Sequence, residues 1–315
     1  MNYGYILQRL LLALIVVLGV TFVVFMIVQI VPGDPARVIL GPYANDEAVA
    51  GLRERLGLNR PFLEQYTRWL GNAVRGNFGN SLITSQPVAP QLLQRLGPSV
   101  ELAVASLFIG IAIAFPIGII SAVKPGSLID IIASIFSQIG VSVPSFWMGI
   151  LFVLLFSLTL GWLPPSGYTP MNEDFMDWLA HIILPALTAG LLSASIQTRF
   201  VRSAMMDVLN MDYVRTARAK GLSERNVIYN HALRNAMINI VTIIGLQITA
   251  LVSGIVIVEV VFGWPGLGRL ALNAVLDRDY PLLQGTVFTV AVVVTLVNLL
   301  VDLLYFFLDP RIEHA

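Results

Sequence analysis

The sequence predicts an all-α integral membrane protein with six transmembrane helices. Charged residues make up only 12% of the chain, whereas a soluble domain carries about 25%. These few charges are clustered, so that six long uncharged runs separate them. Lys and Arg are also concentrated in one short connection between runs, as expected where a loop stays in the cytoplasm.

Each uncharged run is long enough for one crossing, since a helix needs about 20 apolar residues to span the hydrocarbon core. The third run is the longest, and the segment GWLPPSGYTP is expected to end its helix near Gly161. The runs occupy residues 10–33, 102–123, 131–172, 178–198, 235–258 and 280–301.

The distribution of basic residues predicts which side of the membrane each connection faces. The connection 199–234 holds seven Lys and Arg residues, whereas 161–177 holds none and 263–279 holds two. We therefore expect 199–234 and both termini on the cytoplasmic side. The first apolar segment, Leu10 to Val31, is too long for a signal peptide, so it is expected to remain as a helix.

The connection after the first span predicts a small helical subdomain, because residues 32–98 are too many for a simple loop. Asn45 is a candidate N-cap for a helix that Gly57 ends, and Pro61 opens a second helix that Gly76 closes. The chain is accordingly divided into 1–31 (N-terminus and first span), 32–98 (extracytoplasmic subdomain), 99–308 (membrane domain) and 309–315 (cytoplasmic tail).

The stretch VRTARAKGLSERNVIYNHALRNA, residues 214–236, places five basic residues against a single acid. Helix formers before Gly221 and a possible cap at Ser223 predict two short helices that meet at the glycine. Apolar residues such as Val214 and Ala217 leave one face partly apolar. Two interpretations stay open: a basic helix lying on anionic lipid headgroups, or a compact docking surface for another protein.

This stretch resembles the cytoplasmic coupling loop of permease subunits in bacterial ABC importers of the dipeptide, oligopeptide and nickel family. The loop pattern of that superfamily is E-A-A, three residues, G, nine residues, I-x-L-P, and Gly221 and Leu233 keep it. Arg215, Thr216 and Ala217 stand at the E-A-A positions, where only Ala217 agrees, and His231 and Arg234 stand where Ile and Pro are usual. These departures are in the manner of the peptide branch.

Three further segments match the peptide branch, so the resemblance covers essentially the whole chain. They are VPGDPAR at 31–37, RLGLNRPFLEQY at 55–66, and VFGWPGLGRL at 261–270 followed by RDYP. The resemblance implies a type I ABC importer permease fold in the bacterial cytoplasmic membrane. It also implies that the transported substrate is a peptide, which could be a dipeptide, an oligopeptide or a glutathione-like peptide.

The resemblance further implies four kinds of partner: a second homologous permease, two ATPase subunits, an extracytoplasmic peptide-binding protein and the lipid bilayer. ATP and Mg²⁺ would be bound by the ATPases, and this chain is expected to hold no cofactor, metal or catalytic site. Contact with the ATPases is assigned to a coupling loop at 200–236. Its candidate residues are Arg215, Thr216, Ala217, Arg218, Lys220, Gly221, Leu222, His231 and Leu233.

Polar residues within or near the spans are candidates for the transport pathway or its gate. They are Gln138, Gln247 and Glu259. For the two glutamines, hydrogen bonding between helices is the competing interpretation. For Glu259, the alternative is simple hydration close to the membrane interface.

Three residues on the outer side are candidates for contact with the binding protein: Asp34, Arg37 and Arg269. Asp34 lies between two prolines, where a rigid turn is expected to seat the binding protein or close an outer gate. The competing interpretation is a stiff exit from the first span.

Two other function classes compete with the importer permease. A stand-alone channel or secondary transporter would place acids deep inside several spans, whereas here the acids lie at span ends. An intramembrane enzyme would need a nucleophile or metal motif, but Gly-x-Ser-x-Gly, His-Glu-x-x-His and cysteine are all absent from the sequence.

Overall fold

The computed structural model describes residues 3–30, 35–41 and 44–308. This part of the chain is almost entirely helical, and its β-pairing is limited to one isolated bridge between Asn80 and Pro87. The helices are α1 (Tyr3–Ile30), α2 (Pro35–Leu40), α3 (Asp46–Leu56), α4 (Phe62–Val74), α5 (Val88–Val123), α6 (Leu128–Ser142), α7 (Ser145–Phe152), α8 (Phe175–Leu209), α9 (Asp212–Ala219), α10 (Glu224–Asn226), α11 (Arg234–Val261), α12 (Leu267–Leu276) and α13 (Tyr280–Leu308), with π-helical segments at Val153–Thr159 and Val227–Leu233.

Among the described residues, five stretches of helix are long and apolar enough to cross a membrane. They are Leu7–Gln29, Val88–Val123, Phe175–Leu209, Glu224–Leu251 and Tyr280–Leu303. A bent pair, α6 with α7 and its π-helical continuation, meets the same criteria together and is a sixth candidate, as a broken span or a re-entrant loop. When the bent pair is counted as one span, the number of candidate spans is six, as the uncharged runs predict.

The single helix expected over the third run is instead broken. α6 and the helix that begins at Ser145 are bent by 106° relative to each other. Val143 is extended, with φ −85° and ψ 123°, because the ring of Pro144 disfavours the helical conformation of the residue before it. The helical region does end near Gly161, as the sequence predicts.

Residues Met1–Pro98 and Pro265–Leu299 form the first of two compact units. An aromatic cluster joins α1 to α4 in this unit. The ring of Phe25 lies 5.6 Å from that of Tyr66 and 5.8 Å from that of Trp69, measured between centroids. Helix α4 of segment 32–98 therefore packs against the first span.

A buried carboxylate, Asp279, links the segment before α5 to the start of α13 in the first unit. It accepts hydrogen bonds from the Ser81 hydroxyl and, at 3.1 Å, from the backbone N–H of Leu82. It also accepts from the N–H of Leu282 at 3.3 Å, within the first turn of α13. The segment before α5 is thereby fixed to the start of α13.

Predicted helix ends in this unit agree with the structure. The Asn45 side chain accepts a hydrogen bond from the N–H of Ala48 at 2.8 Å, as an N-cap does. Gly57 ends α3 in the left-handed conformation, and Pro61 precedes α4.

The second unit consists of Ser99–Trp264 and Leu300–Ala315. Helices α6 and α8 approach each other closely within it, and Gly140 makes this approach possible. A Cβ placed on Gly140 would lie 1.8 Å from the Ser195 Oγ and 2.6 Å from its Cβ. Only glycine therefore fits at position 140 without a shift of α6 against α8.

We expect Gly140→Ala to destabilise the folded chain by about 1–3 kcal/mol, since the methyl group overpacks the contact with α8. The midpoint of thermal unfolding in detergent measures the effect. Adding Ser195→Gly to the variant should restore most of the loss. Gly254→Ala is the matched control, because no described atom lies within 4 Å of its added Cβ. A Gly140→Ala protein as stable as the control would contradict this account of the packing.

Candidate functional site

The basic stretch forms a hinge segment, defined here as residues 210–236, which joins α8 to α11 and includes the first turns of the continuous helix that begins at Glu224. α9 ends before Gly221, whose φ of +77° is left-handed. No described atom lies within 4 Å of the position that a Cβ would take there. Glycine is therefore required for the backbone angle and not for space, since other residues resist this conformation.

Helices occupy much of the expected coupling loop at 200–236. α8 continues to Leu209, and α10, the π-helical segment and α11 follow one another from Glu224 without a break. Only residues 210–223 lie outside these long helices. The expected side-chain cap at Ser223 is wrong: the residue is extended, but within the described chain its side chain makes no capping hydrogen bond.

The apolar face of α9 is buried against the protein. Val214 is fully buried, and Ala217 is almost so. They belong to one hydrophobic cluster with Val201 and Met205 of α8 and with Val227 of the π-helical segment. A helix lying on lipid headgroups needs its apolar face free. The lipid-surface interpretation therefore loses its basis, whereas a rigid docking surface fits.

Two polar contacts hold the arms of the hinge segment together. The guanidinium of Arg218 donates to the carboxylate of Glu224 across the Gly221 turn, at 2.9 and 3.4 Å. The Asn235 amide donates to the Tyr213 hydroxyl and to the His231 carbonyl, both at 2.9 Å. Exposed ion pairs stabilise by less than about 1 kcal/mol, so the buried cluster contributes most of the stiffness.

The candidate coupling residues fall into two groups. Those on the surface surround the Gly221 turn: Arg215, Thr216, Arg218, Lys220, Gly221 and Leu222 are exposed. Ala217 is buried, and His231 and Leu233 are half-buried. The turn thus presents a protruding basic surface, while the second group holds it in place. Their role in coupling stays a prediction.

Sequence analysis missed Tyr213 and Asn235, which link α9 to the following helix. It also missed a buried ion pair below the hinge segment. Arg202 of α8 donates to both carboxylate oxygens of Asp130 in α6, at 2.6 and 2.9 Å. The Ser121 hydroxyl of α5 and the N–H of Gly126 also donate to this carboxylate.

This ion pair joins three helices next to the hydrophobic cluster of the hinge segment. Ile119 of α5 and Val201 of α8 belong to that cluster, and they lie close in sequence to Ser121 and Arg202. The sequence does show Asp130 as an acid at the start of an apolar run. Nothing in a single sequence, however, connects Asp130 to Arg202, which lies 72 positions away.

The candidate pathway residues do not share one surface. Glu259 is fully buried and accepts a hydrogen bond of 2.6 Å from the Ser99 hydroxyl. The interpretation that it is simply hydrated is therefore wrong. Gln138 is exposed on α6, and Gln247 is half-buried on α11. Their part in the pathway stays a prediction.

Two of the three candidates for contact with a binding protein lie within the described residues. Arg37 is exposed and pairs with Asp46 at 2.7 Å. Arg269 is half-buried on α12. Asp34 lies outside the described residues.

These features define a helical membrane protein in which a packed hinge segment with an exposed basic turn joins the fourth and fifth spans. Residues 114–314 match the family described as "Binding-protein-dependent transport system inner membrane component", and residues 2–103 match its N-terminal counterpart. The chain belongs to this family, and it is thus a membrane-spanning component of a transport system.

Curated relatives align over almost their full length. The chain is 40% identical to the "Probable peptide ABC transporter permease protein y4tP" of Sinorhizobium fredii, over 98% of this chain and 99% of that one. It is 40% identical to the "Oligopeptide transport system permease protein AppB" of Bacillus subtilis, with 99% of each chain covered. It is 38% identical to the "Dipeptide transport system permease protein DppB" of Alkalihalophilus pseudofirmus, again over 99% of each.

Solved structures share the fold. A chain of the inward-facing MetNI methionine ABC transporter matches with a TM-score of 0.56 and 17% identity, over 70% of this chain and 96% of that one. A chain of an amino acid ABC transporter matches with a TM-score of 0.52 and 16% identity, over 69% and 93%. The predicted ABC importer permease fold is confirmed.

We expect Arg202→Gln to destabilise the chain by about 1–3 kcal/mol, because it leaves the carboxylate of Asp130, only 8% exposed, without its counter-charge. The double variant Arg202→Gln, Asp130→Asn should be less damaging than the single one. Arg199→Gln, an exposed charge on the same helix, is the control. Thermal unfolding in detergent gives the comparison, and equal stability of the Arg199 and Arg202 variants would rule out a structural role for the pair.

Proposed function

We propose that this chain is a permease subunit of an ATP-driven importer of peptides, and that its hinge segment is the point at which ATPase subunits act. The observation that supports this proposal is the way that segment is packed. The left-handed turn at Gly221 exposes several basic side chains. The helix before it packs onto α8 through a buried hydrophobic cluster. A force applied to the turn is therefore transmitted to a membrane-spanning helix.

The proposed substrate is a peptide, which the printed names of three relatives support. Those proteins are described as peptide, oligopeptide and dipeptide permeases. The translocation pathway would form between this subunit and a second homologous permease. An extracytoplasmic binding protein would deliver the peptide, with Asp34, Arg37 and Arg269 as proposed contacts.

The proposed orientation places the hinge segment and both termini in the cytoplasm. Seven Lys and Arg residues in 199–234 support this placement, because basic loops are retained on the cytoplasmic side. Segment 32–98 would then face outward, towards the binding protein. Two ATPase subunits, one on each permease, would bind ATP and Mg²⁺ and carry out hydrolysis, and this chain would contribute no catalytic group.

Gly221→Val tests the coupling role in the assembled importer. A β-branched residue resists a positive φ, and forcing the left-handed conformation costs about 1–2 kcal/mol, equivalent to roughly five- to thirty-fold in an equilibrium. We expect peptide uptake and substrate-stimulated ATP hydrolysis to fall together by about that factor. Gly221→Asn is the control, because asparagine enters the left-handed region more readily.

Uptake by reconstituted vesicles and phosphate release from the same preparation give the two measurements. If Gly221→Val and Gly221→Asn give the same peptide uptake and the same phosphate release, the hinge segment does not couple this permease to the ATPase subunits. Peptide uptake by this chain in vesicles without ATPase subunits would instead favour a stand-alone transporter.

A further inference from the structure

Helix α6, in the second compact unit, has three faces of different character. One face packs against α8: Ala133 and Ser137 are buried, and Gly140 lies against Ser195. Residues three and four positions apart share one side of a helix, so the residues between these positions lie on other sides. The two remaining faces of α6 are exposed, and their chemistry differs.

The first exposed face of α6 is apolar. Leu128, Ile132, Ile135 and Ile139 are each more than half exposed, and their spacing of four, three and four positions places them along one side of the helix. Acyl chains can surround such side chains, because these side chains have no hydrogen-bonding group to satisfy. This face therefore suits contact with lipid.

The second exposed face is polar. We define it as Ser134, Gln138 and Ser142, which follow one another at intervals of four and are all exposed. The two serine hydroxyls donate to carbonyl oxygens of their own helix, at 2.8 and 2.9 Å. No described residue, by contrast, forms a hydrogen bond with the carboxamide of Gln138. The polar face therefore presents an unsatisfied amide to its surroundings.

Gln138 lies deep within the apolar segment. Lys124, an exposed charge just before α6, marks the membrane surface near which the helix begins. Gln138 follows Leu128, the first residue of α6, by about 15 Å along the axis at 1.5 Å per residue. The hydrocarbon core is about 30 Å thick. The carboxamide is therefore placed near the middle of the membrane, where lipid offers it no partner.

The bend that follows α6 adds unsatisfied backbone groups next to the polar face. Ser142 is the last residue of α6, and Pro144 precedes α7 without a side-chain cap. The N–H of Met148 donates to the Pro144 carbonyl at 3.1 Å, so the N–H groups of residues 145–147 come before the first hydrogen bond of the new helix. Irregular backbone at membrane depth is tolerated only where it is buried in protein or lines a water-filled cavity.

Water accounts for the polar face and the bend together. A carboxamide has two donors and an acceptor oxygen with two lone pairs, and the bend adds backbone donors close by. One hydrogen bond to a helix of another subunit would satisfy part of Gln138 and none of these donors, whereas water can serve every group. The two exposed faces of α6 therefore indicate acyl chains on one side and an aqueous space on the other.

We propose that the polar face of α6, together with the bend at Pro144, lines a water-filled passage through which the peptide crosses the membrane. The inference rests on the proposed function, because it assigns one wall of the passage formed with the second permease. Hydroxyl and carboxamide groups can pair with the N–H and C=O groups of a peptide backbone. None of the three side chains is charged, so this wall favours neither sign of charge on the peptide.

Cysteine accessibility tests the proposal, and the chain suits it because it contains no cysteine of its own. Ser134→Cys, Gln138→Cys and Ser142→Cys report on the polar face. Ile135→Cys and Ile139→Cys are matched controls, each one position further along the helix. The assembled importer is reconstituted in lipid vesicles with a charged methanethiosulfonate on both sides, at rest and during ATP hydrolysis. Mass spectrometry of this chain then measures the rate of modification.

We expect the polar-face variants to react about tenfold faster than the controls or more, because the reagent attacks the thiolate, which apolar surroundings disfavour. Trialanine uptake by the modified vesicles should fall in proportion to the modified fraction of Gln138→Cys, since the adduct obstructs the passage. Modification of Ile139→Cys should leave uptake unchanged. Gel filtration verifies that each variant assembles, and three positions on the polar face allow for one that does not.

Equal rates on the two faces overturn the proposal, as does unchanged uptake after Gln138→Cys has been modified. A polar face that resists the reagent but forms disulfides with a cysteine placed on the second permease is a dry contact between subunits, which also overturns it. In these cases the importer function stands. If the unmodified vesicles import no peptide, the importer function fails. Faster reaction of the polar face then upholds the aqueous passage alone, and equal rates reject it.

Discussion

The packing of the hinge segment onto α8 is the contact on which the proposed mechanism depends. Val214 and Ala217 are buried in one cluster with Val201, Met205 and Val208 of α8. Burial of this kind is not directional, but a close-packed interior transmits displacement because it compresses little. A pull on the exposed turn is therefore received by the whole helix. Without the cluster, the same basic residues would lie on a flexible loop.

The buried Asp130–Arg202 pair extends this rigid region to two further helices. Ser121, Asp130 and Arg202 come from α5, α6 and α8, and they meet in one hydrogen-bonded group. A buried ion pair adds little net stability compared with apolar packing, but it tolerates few alternative arrangements. Its contribution is therefore to fix the register of the helices next to the hinge segment.

Much of the fold was predictable from the sequence, because hydrocarbon permits few backbone structures. The uncharged runs located the spans, and local signals at Asn45, Gly57 and Gly221 located helix ends. What failed depends on contacts between distant parts of the chain. The continuation of α8 to Leu209 was missed because the uncharged run ends before Arg199. The charges at Arg199 and Arg202 mark where the apolar segment ends, but the helix continues beyond them. The pairing of Asp130 with Arg202 leaves no pattern in a single sequence.

The bend at Pro144 has a consequence for how the subunit is solvated in a bilayer. A helix that turns by 106° at a proline loses intrahelical hydrogen bonds around the turn, and acyl chains offer no replacement. The neighbouring Ile139, Phe146 and Trp147 are large apolar side chains that are about half exposed in the isolated chain. Those side chains can face acyl chains, but the backbone groups freed at the bend need polypeptide or water as hydrogen-bond partners wherever the bend lies within the hydrocarbon.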